Sequence, residues 1–328
     1  EETANFSVRA AHAHLGIVDD DVVWMPSPIG HSTGFNYGVR FALYHGLKLV
    51  LQDVWDPEVA CRLIEHEQCS YTLAATTFLS DLIGRADLND LSSLRYFGCG
   101  GAPVPPDLVR AARSKDIDVL RLYGSTEVLV GTWNTPGSSA RQKDNTDGVA
   151  LARIEVETRT EDGAVCPPGA RGEIYVRGPN TCVGFFEDPE RTKATFSPDG
   201  WVRSGDLAEI DEKGYLTVVG RKKEIIIRGG MNIAPREIEE LLVEHPLVTA
   251  AAVIALPHPR LGEIACACLV SGQPDNIDGA AIIEWLRGRG LAAYKLPERI
   301  ELIDALPYTA SGKVKKHELL ATIRGRDS

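Results

Sequence analysis

The sequence predicts an α/β fold in three parts: a parallel sheet with flanking helices, an antiparallel β subdomain, and a small C-terminal α+β lid domain. Between residues 22 and 122, short continuous apolar runs alternate with amphipathic segments, which is typical of a parallel sheet covered on both faces. Between residues 151 and 219, apolar and polar residues alternate, which predicts antiparallel strands. We therefore place the parallel lobe at 1–150, the antiparallel subdomain at 151–219 and the lid at 220–328.

The parallel lobe is predicted to open with a helix over residues 1–15 that ends at Gly16. No capping residue precedes this helix, so we expect that the chain does not begin at the start of a natural domain. Ligands of such sheets bind beyond the carboxyl ends of the strands. The remaining predicted strands are 22–25, 47–51, 71–75, 94–97 and 119–122, and the remaining predicted helices are 33–44, 58–67, 78–85 and 106–114.

The second and third parts contain further predicted strands and helices. The antiparallel strands are predicted at 154–157, 172–176 and 215–218, separated by Gly-Pro turns. The stretch 220–239, GRKKEIIIRGGMNIAPREIE, reads as a basic joint, a strand, a tight turn at a glycine pair, and a helix that starts with proline. The lid is completed by predicted strands at 248–255, 264–270 and 299–303 and by helices at 237–243 and 280–288.

Composition excludes several classes of protein. The formal net charge of −11 over 328 residues argues against a nucleic-acid binder that neutralises phosphates. No apolar run approaches the ~18 residues of a spanning helix, so we expect no transmembrane segment. The seven cysteines form no CxxC pair, which argues against a zinc site or a disulfide framework and favours the cytoplasm. Cys266 and Cys268 alternate on a predicted strand and are expected to be core residues.

Two segments follow neighbouring strands of the parallel lobe. Tyr123-Gly124-Ser125-Thr126-Glu127 comes after the strand that we end at Leu122. An aromatic ring can stack on a base, hydroxyls can reach phosphate, and a carboxylate can hold Mg²⁺, so this segment is a candidate nucleotide site. A capped turn into a helix is the plainer alternative. The segment 100–103, GGAP, lets a ligand approach the backbone closely or is a tight turn before a helix.

Two further segments lie later in the chain. In Ser204-Gly205-Asp206 an aspartate placed by a glycine turn can accept hydrogen bonds from two ribose hydroxyls, although an isolated SGD is more often a plain turn. Lys313 lies on a Ser-Gly loop, where a mobile ammonium group can meet charge that develops on phosphate. A solvated surface lysine is the alternative. The required upstream glycine and strand are missing, so this is not a Walker A loop.

Together these segments resemble the adenylate-forming superfamily, which includes acyl-CoA synthetases, adenylation domains of peptide synthetases, and luciferases. The resemblance covers essentially the whole chain and is strongest to medium-chain fatty acid and cyclohexanecarboxylate CoA ligases. The matching segments, in order, are PIGHSTG at 28–34, GGAP at 100–103, YGSTE at 123–127, GEIYVRGP at 172–179, SGD at 204–206, the joint at 220–239, and TASGK at 309–313.

The resemblance implies ATP, Mg²⁺ and CoA as cofactors and a carboxylic acid as substrate. It implies that Lys313, Glu127 and Thr126 are catalytic and that Glu127 holds the metal. The implied cofactor-binding residues are Gly101, Ala102, Pro103, Tyr123, Gly124, Ser125, Asp206, Arg221, Gly229 and Gly230. In this reading Asp206 and Arg221 bind the ribose, CoA enters past the glycine pair, and the lid rotates about the hinge residue Lys223 within a joint at 221–223.

The acyl pocket is implied less directly. By analogy it is lined by His31, Gly34, Phe35, Gly38 and Val128, although His31 also fits an ordinary histidine near a helix start. The segment after His31 lacks the aspartate that amino-acid-activating domains use to pair the substrate amine. A substrate with a bare carboxylate and an apolar body is therefore expected.

Two departures from the family pattern are visible. Glu224 stands where many relatives have aspartate, beside the hinge position. The Gly/Ser/Thr-rich phosphate loop that precedes the first helix in the family is not found in this sequence, so we expect the 328 residues to bind ATP poorly. The alternatives left open are an acyl-AMP ligase that loads a carrier protein and an inactive, nucleotide-binding fragment. A homodimer is also left open.

Overall fold

The structure is a computed structural model that describes residues 2–86 and 89–326. The chain divides into two compact units, residues 1–218 and 219–328, which are described separately. The strands of the first sheet are β1 (Val22–Met25), β2 (Lys48–Leu51), β3 (Tyr71–Ala74), β4 (Tyr96–Gly100), β5 (Asp118–Ser125), β6 (Leu129–Trp133) and β7 (Val149–Ala150). Their order is β2-β1-β3-β4-β5-β6-β7.

The sheet is parallel from β2 to β5 and antiparallel at its other edge, where β6 pairs with β5 and β7 pairs with β6. Neighbouring residues of β1 enter different core clusters, Val23 on one face and Trp24 on the other. Because successive side chains of a strand point to opposite faces, the sheet is buried on both sides. This confirms the predicted fold class of the first part, with an antiparallel edge that the sequence did not predict.

Helices cover both faces of this sheet. They are α1 (Glu2–Leu15), α2 (Phe41–His45), α3 (Pro57–Glu67), α4 (Thr76–Ile83), α5 (Pro106–Arg113) and α6 (Ala140–Asn145). The start of α3 shows why these segments become helical: Asp56 accepts hydrogen bonds from the amides of Glu58 (2.8 Å) and Val59 (3.0 Å), and Pro57 occupies the first turn. The predicted helix 33–44 is a π-helix, Thr33–Arg40, that continues into α2.

The second sheet of the first unit contains β8 (Glu155–Arg159), β9 (Gly172–Arg177), β10 (Val202–Ile210) and β11 (Leu216–Arg221), and α7 (Pro189–Thr195) lies between β9 and β10. The order is β11-β10-β9-β8, and β9 is antiparallel to both of its neighbours. Ile174, Val176 and Val202 pack in the same core cluster as Trp133 of the first sheet. The predicted antiparallel region is therefore present and shares a core with the parallel sheet.

The second unit is a small α+β fold, as predicted. Its strands are β12 (Ile226–Arg228), β13 (Met231–Ile233), β14 (Ala250–His258), β15 (Gly262–Val270) and β16 (Arg299–Leu302), and its helices are α8 (Pro235–Val243), α9 (Gly279–Gly288) and α10 (Lys316–Arg326). The order is β13-β12-β15-β14, and β16 is parallel to β15. Cys266 and Cys268 are fully buried on β15, which confirms their predicted place in the core.

Among the described residues, no helix combines the length and the apolar character that crossing a membrane requires. All seven cysteines lie in the described part of the chain, and all are free thiols.

Candidate functional site

The YGSTE segment lies inside a β-hairpin. The prediction that its strand ends at Leu122 is wrong, because β5 continues to Ser125 and the chain then returns as β6. The pairing register shifts between Tyr123 and Gly124. A Cβ at Gly124 would overlap the carbonyl oxygen of Leu129, so the close approach of the two strands requires glycine at this position.

Tyr123 and Asp206, 83 residues apart, are joined by a hydrogen bond. The phenolic hydroxyl donates to Oδ2 of Asp206 at 2.8 Å, and both residues are only 6% exposed. Asp206 lies on β10 where the pairing with β9 is interrupted and Gly205 has φ of 76°. Ser204 Oγ accepts from the Asp206 amide at 3.0 Å and donates to the Ile174 carbonyl at 2.8 Å. Two segments that were predicted separately therefore form one polar centre.

Glu127 lies in the turn that follows β5, four residues after Tyr123. Ser125 Oγ donates to Glu127 Oε2 at 2.9 Å, and the guanidinium of Arg191 lies 3.9 Å from Oε1. The side chain of Glu127 is 28% exposed, so solvent and ligands can reach it. In the described part of the chain, no cluster of three or more His, Cys, Asp or Glu residues could hold a metal. A single reachable carboxylate fits Mg²⁺, which commonly binds one or two carboxylates together with substrate phosphates.

The loop after β9 fixes the backbone on the far side of the hairpin. The Cys182 amide donates to the Glu127 carbonyl at 2.8 Å, and the Cys182 thiol lies 3.6 Å from the Thr126 carbonyl. Asn180 Nδ2 donates to the Val128 carbonyl at 2.6 Å. Burial and the nearby charge of Glu127 raise the pKa of the Cys182 thiol, so it stays protonated at neutral pH. Asn180 and Cys182 were not predicted as site residues, and their only local signal in the sequence is the preceding Gly-Pro turn.

Gly101, Ala102 and Pro103 follow β4 directly. Gly100 pairs with Leu122 in the parallel register, so this segment and Tyr123 lie at the same carboxyl edge of the sheet. Gly101 is exposed with φ of 80°, and Thr76 Oγ1 donates to the Pro103 carbonyl at 2.9 Å. The structure thus places the predicted GGAP and YGSTE segments on neighbouring strands.

The predicted acyl-pocket residues lie on the π-helix after β1. A Cβ at Gly34 would overlap the Pro28 carbonyl oxygen, and one at Gly38 would lie 2.6 Å from Met25 Cγ, so both glycines are needed to pack this helix against the chain around the end of β1. Phe35 is 46% exposed, with the Arg40 guanidinium 5.5 Å from its ring centroid. π-helices are rare and frequently occur at functional sites.

His31 and Val128 lie in different surroundings. His31 is partly buried before the π-helix, and its Nδ1 accepts from the Thr33 amide at 3.2 Å. Val128 is fully buried in the first core cluster. Next to it, the Val130 amide donates to the Tyr37 hydroxyl at 3.0 Å, which ties the π-helix to the hairpin that carries Glu127. The pocket roles of His31, Gly34, Phe35, Gly38 and Val128 remain predictions.

The joint and the glycine pair belong to the second unit. Arg221 ends β11, and a 3₁₀ turn follows over Lys222–Glu224, in which Lys223 is exposed. Gly229 and Gly230 form the two-residue turn between β12 and β13, with φ of 56° and 85°. Positive φ at both positions is the type I′ geometry, which glycine adopts without strain. The roles of Arg221, Lys223 and the glycine pair remain predictions.

Lys313 lies in a tight hairpin rather than on a loose loop. Tyr308 pairs with Val314 in an antiparallel bridge, and Thr309 and Lys313 exchange hydrogen bonds: the Thr309 amide to the Lys313 carbonyl at 2.8 Å, and the Lys313 amide to Thr309 Oγ1 at 3.0 Å. Gly312 has φ of 79°. The backbone of the expected catalytic lysine is therefore held firmly within the second unit.

Comparison with known proteins agrees with these features. Residues 2–186 match the model of the AMP-binding enzyme family, and residues 237–313 match that of the AMP-binding enzyme C-terminal domain. Because the first match covers more than half of the chain, the protein belongs to the AMP-binding, adenylate-forming enzyme family.

Several similar proteins are named as CoA ligases or CoA synthases. The chain is 38% identical to a medium-chain fatty-acid–CoA ligase of Escherichia coli over 98% of this chain and 57% of that protein. It is 36% identical to a feruloyl-CoA synthase of Amycolatopsis over 92% of this chain and 62% of that protein. The crystal structure of ATP-bound MatB from Rhodopseudomonas palustris matches with a TM-score of 0.91 and 30% identity, over 98% of this chain and 64% of that chain. The chain thus spans about three-fifths of the length of these relatives.

Proposed function

We propose that the protein acts as an acyl-CoA ligase, which activates a carboxylic acid with ATP to an acyl-adenylate and then transfers the acyl group to CoA. The observation that carries this proposal is the buried hydrogen bond between Tyr123 and Asp206 beside the reachable carboxylate of Glu127. This arrangement offers an aromatic ring, a ribose acceptor and a metal ligand at one place in the first unit. The names of the relatives support the same reaction class.

In the proposed first step, the substrate carboxylate attacks the α-phosphorus of ATP and pyrophosphate leaves. Asp206, oriented by the Tyr123 hydroxyl, accepts hydrogen bonds from the ribose hydroxyls, and Arg221 adds a contact from the joint. Thr126 contacts the α-phosphate, and Gly101, Ala102 and Pro103 border the adenine with Tyr123. Glu127 would hold Mg²⁺, which would neutralise charge on the phosphates.

Lys313 serves the first step in this proposal, because its ammonium group stabilises the negative charge that develops as the carboxylate attacks. Loss of such a preorganised charge costs about 3–4 kcal/mol in the barrier. In the second step the lid turns about Lys223, and the CoA thiol enters beside Gly229 and Gly230 and displaces AMP. The firm backbone of the Lys313 hairpin supports a role that depends on fixed geometry.

For the substrate, we propose an acid with an apolar body. No acidic residue occurs between His31 and Arg40 that could pair with an amino group, and the exposed ring of Phe35 offers apolar contact. Medium-chain and aromatic acids, the substrate classes in the names of two relatives, fit this chemistry. We also propose a cytoplasmic location, which the seven free thiols support. A homodimer stays a prediction.

The second candidate is an acyl-AMP ligase that passes the acyl group to a carrier protein. It shares the first step and differs in the thiol that accepts the acyl group. A third candidate is a nucleotide-binding module without catalysis.

The test is a screen of carboxylic acids by pyrophosphate release, carried out on the 328-residue chain and on the gene product as encoded. We expect acid-dependent release in the gene product, with medium-chain and aromatic acids preferred over amino acids, and thioester formation with CoA but not with a holo carrier protein. Transfer only to the carrier protein would select the second candidate. AMP binding without release in either protein would contradict the proposed ligase.

A further inference from the structure

Lys316, the first residue of α10, lies between two carboxylates within the second unit. Its Nζ is 2.8 Å from Glu239 Oε1 and 3.0 Å from Glu224 Oε2. Burial lowers the pKa of Lys316, but the charges of Glu239 and Glu224 outweigh this effect and raise the pKa above its usual value. The side chain is therefore charged at neutral pH, and both ion pairs are present there.

One side of this arrangement is anchored in the core of the unit. Glu239 lies on α8 and is buried, and its Oε1 also accepts a hydrogen bond from the Val253 amide of β14 at 2.8 Å. Glu239 therefore links Lys316 to both α8 and β14. The other side is more open, since the side chain of Glu224 is 39% exposed. The pair with Glu224 therefore adds little to stability, because water screens the charges of a partly exposed ion pair.

The open side connects two segments that have separate roles in the proposed reaction. Glu224 ends the 3₁₀ turn that contains Lys223, the expected hinge. Lys316 follows the hairpin of Lys313, whose base is closed by a hydrogen bond from the Lys315 amide to the Pro307 carbonyl at 2.8 Å. A weak contact between these segments fixes their mutual geometry more than it stabilises the fold.

We propose that Lys316 is a positioning residue for Lys313: its ion pair with Glu224 couples the hinge turn to the lysine hairpin, so that both move as one body. This inference rests on the proposed function. Rotation at Lys223 would then move Lys313 into and out of the adenylation geometry together with the hinge turn.

The first test is hydrogen exchange, measured by mass spectrometry on the 328-residue chain. Glu224→Gln keeps the size of the side chain and removes its charge. We expect exchange to become roughly 2–5-fold faster at residues 222–226 and 307–315, which matches the loss of one partly exposed ion pair, with β14 and β15 unchanged. As a separate variant, Lys316→Arg keeps the positive charge and should show wild-type exchange. The matched control is Lys315→Met, since Lys315 pairs with Glu318 three residues along the chain.

The second test separates the half-reactions in the gene product as encoded. Glu224→Gln should lower adenylation roughly 2–5-fold and change thioester formation from preformed acyl-adenylate less than about 2-fold, because only the first step uses Lys313. An equal fall in both steps would overturn the positioning role. Hydrogen exchange in Glu224→Gln that is identical to exchange in Lys315→Met would overturn the proposed coupling between the hinge turn and the lysine hairpin. If the wild-type protein shows no acid-dependent pyrophosphate release, the proposed function is refuted. The hydrogen-exchange result alone then decides whether the Glu224–Lys316 pair couples the hinge turn to the lysine hairpin.

Discussion

Replacing Tyr123 by phenylalanine removes one hydroxyl and leaves the ring, which makes it a sharp test of the polar centre. The lost hydrogen bond is 2.8 Å long and ends on a carboxylate that is 6% exposed. Hydrogen bonds to charged groups contribute about 1.5–3 kcal/mol, so we expect the free energy of unfolding of the first unit to fall by about 2 kcal/mol. That corresponds to a ~30-fold change in the unfolding equilibrium constant.

The assay is urea unfolding followed by tryptophan fluorescence. Trp24, Trp55, Trp133 and Trp201 lie in the first unit and Trp285 in the second, so the signal reports mainly on the unit that carries Tyr123. If the free energy of unfolding falls by about 2 kcal/mol per M urea, the urea concentration at the midpoint of unfolding should be about 1 M lower in the variant.

The matched control for this test is Tyr215→Phe. The Tyr215 hydroxyl lies 3.4 Å from Ser138 Oγ, a long contact between neutral groups. Its loss should cost less than about 1 kcal/mol. If Tyr123→Phe were as stable as Tyr215→Phe, the hydroxyl would not hold Asp206, and the polar centre would lose its physical basis. AMP affinity, measured by calorimetry, should also fall for Tyr123→Phe and stay unchanged for Tyr215→Phe.

Two further predictions concern the first unit. Gly124→Ala forces a Cβ onto the Leu129 carbonyl, so the hairpin must shift; we expect a loss of at least about 2 kcal/mol in unfolding free energy by urea titration, and wild-type stability would contradict the close approach. Burial raises the pKa of Asp21, but hydrogen bonds from Ser70 and Val18 and the Arg95 charge lower it overall. The contribution of the Asp21 carboxylate to the free energy of unfolding is full above the unfolded pKa of ~3.9 and is lost as pH falls through the lower folded pKa. The difference in unfolding free energy between wild type and Asp21→Asn should therefore be constant from about pH 5 to 8 and shrink below about pH 4. A difference at pH 3 as large as at pH 7 would contradict this.

The parallel strands were predictable because each is a short apolar run between amphipathic helices, and burial on both faces leaves that pattern in the sequence. The strand predicted at 94–97 lies instead at Tyr96–Gly100. The predicted strand ended too early because the two glycines at 98 and 100 suggest a turn. Gly98 is nevertheless a strand residue: a Cβ there would lie 2.6 Å from Trp133 Cζ2, so its missing side chain makes room for the indole ring. Such a requirement comes from tertiary packing and leaves no local signal.

The same limit applies to the rest of the fold. The return of the chain as β6 depends on the bulge at Gly124, which local propensity does not indicate. The π-helix has the same apolar periodicity as an α-helix at this length, so its type could not be predicted. The elements β7, β10, β13, α6, α7 and α10 were also missed.

For the candidate site, the residue types of YGSTE and SGD suggested chemistry, but their pairing came only from resemblance to a family. The structure adds the direct contact between Tyr123 and Asp206. It also adds Asn180 and Cys182, which hold the hairpin through backbone carbonyls that any residue possesses. Contacts of this kind depend on the position of the backbone and not on the identity of the partner, so sequence patterns cannot reveal them.

The most direct measurement compares the two half-reactions of Lys313→Ala with those of the wild type in the gene product as encoded. The proposed ligase predicts acid-dependent exchange of pyrophosphate into ATP in the wild type and a loss of about 3–4 kcal/mol in the adenylation barrier, or roughly 100–1,000-fold, in the variant. Thioester formation from preformed acyl-adenylate and CoA should remain largely intact. An equal loss of both steps would contradict the role of Lys313, and no exchange in the wild type with any acid would contradict the adenylation chemistry itself.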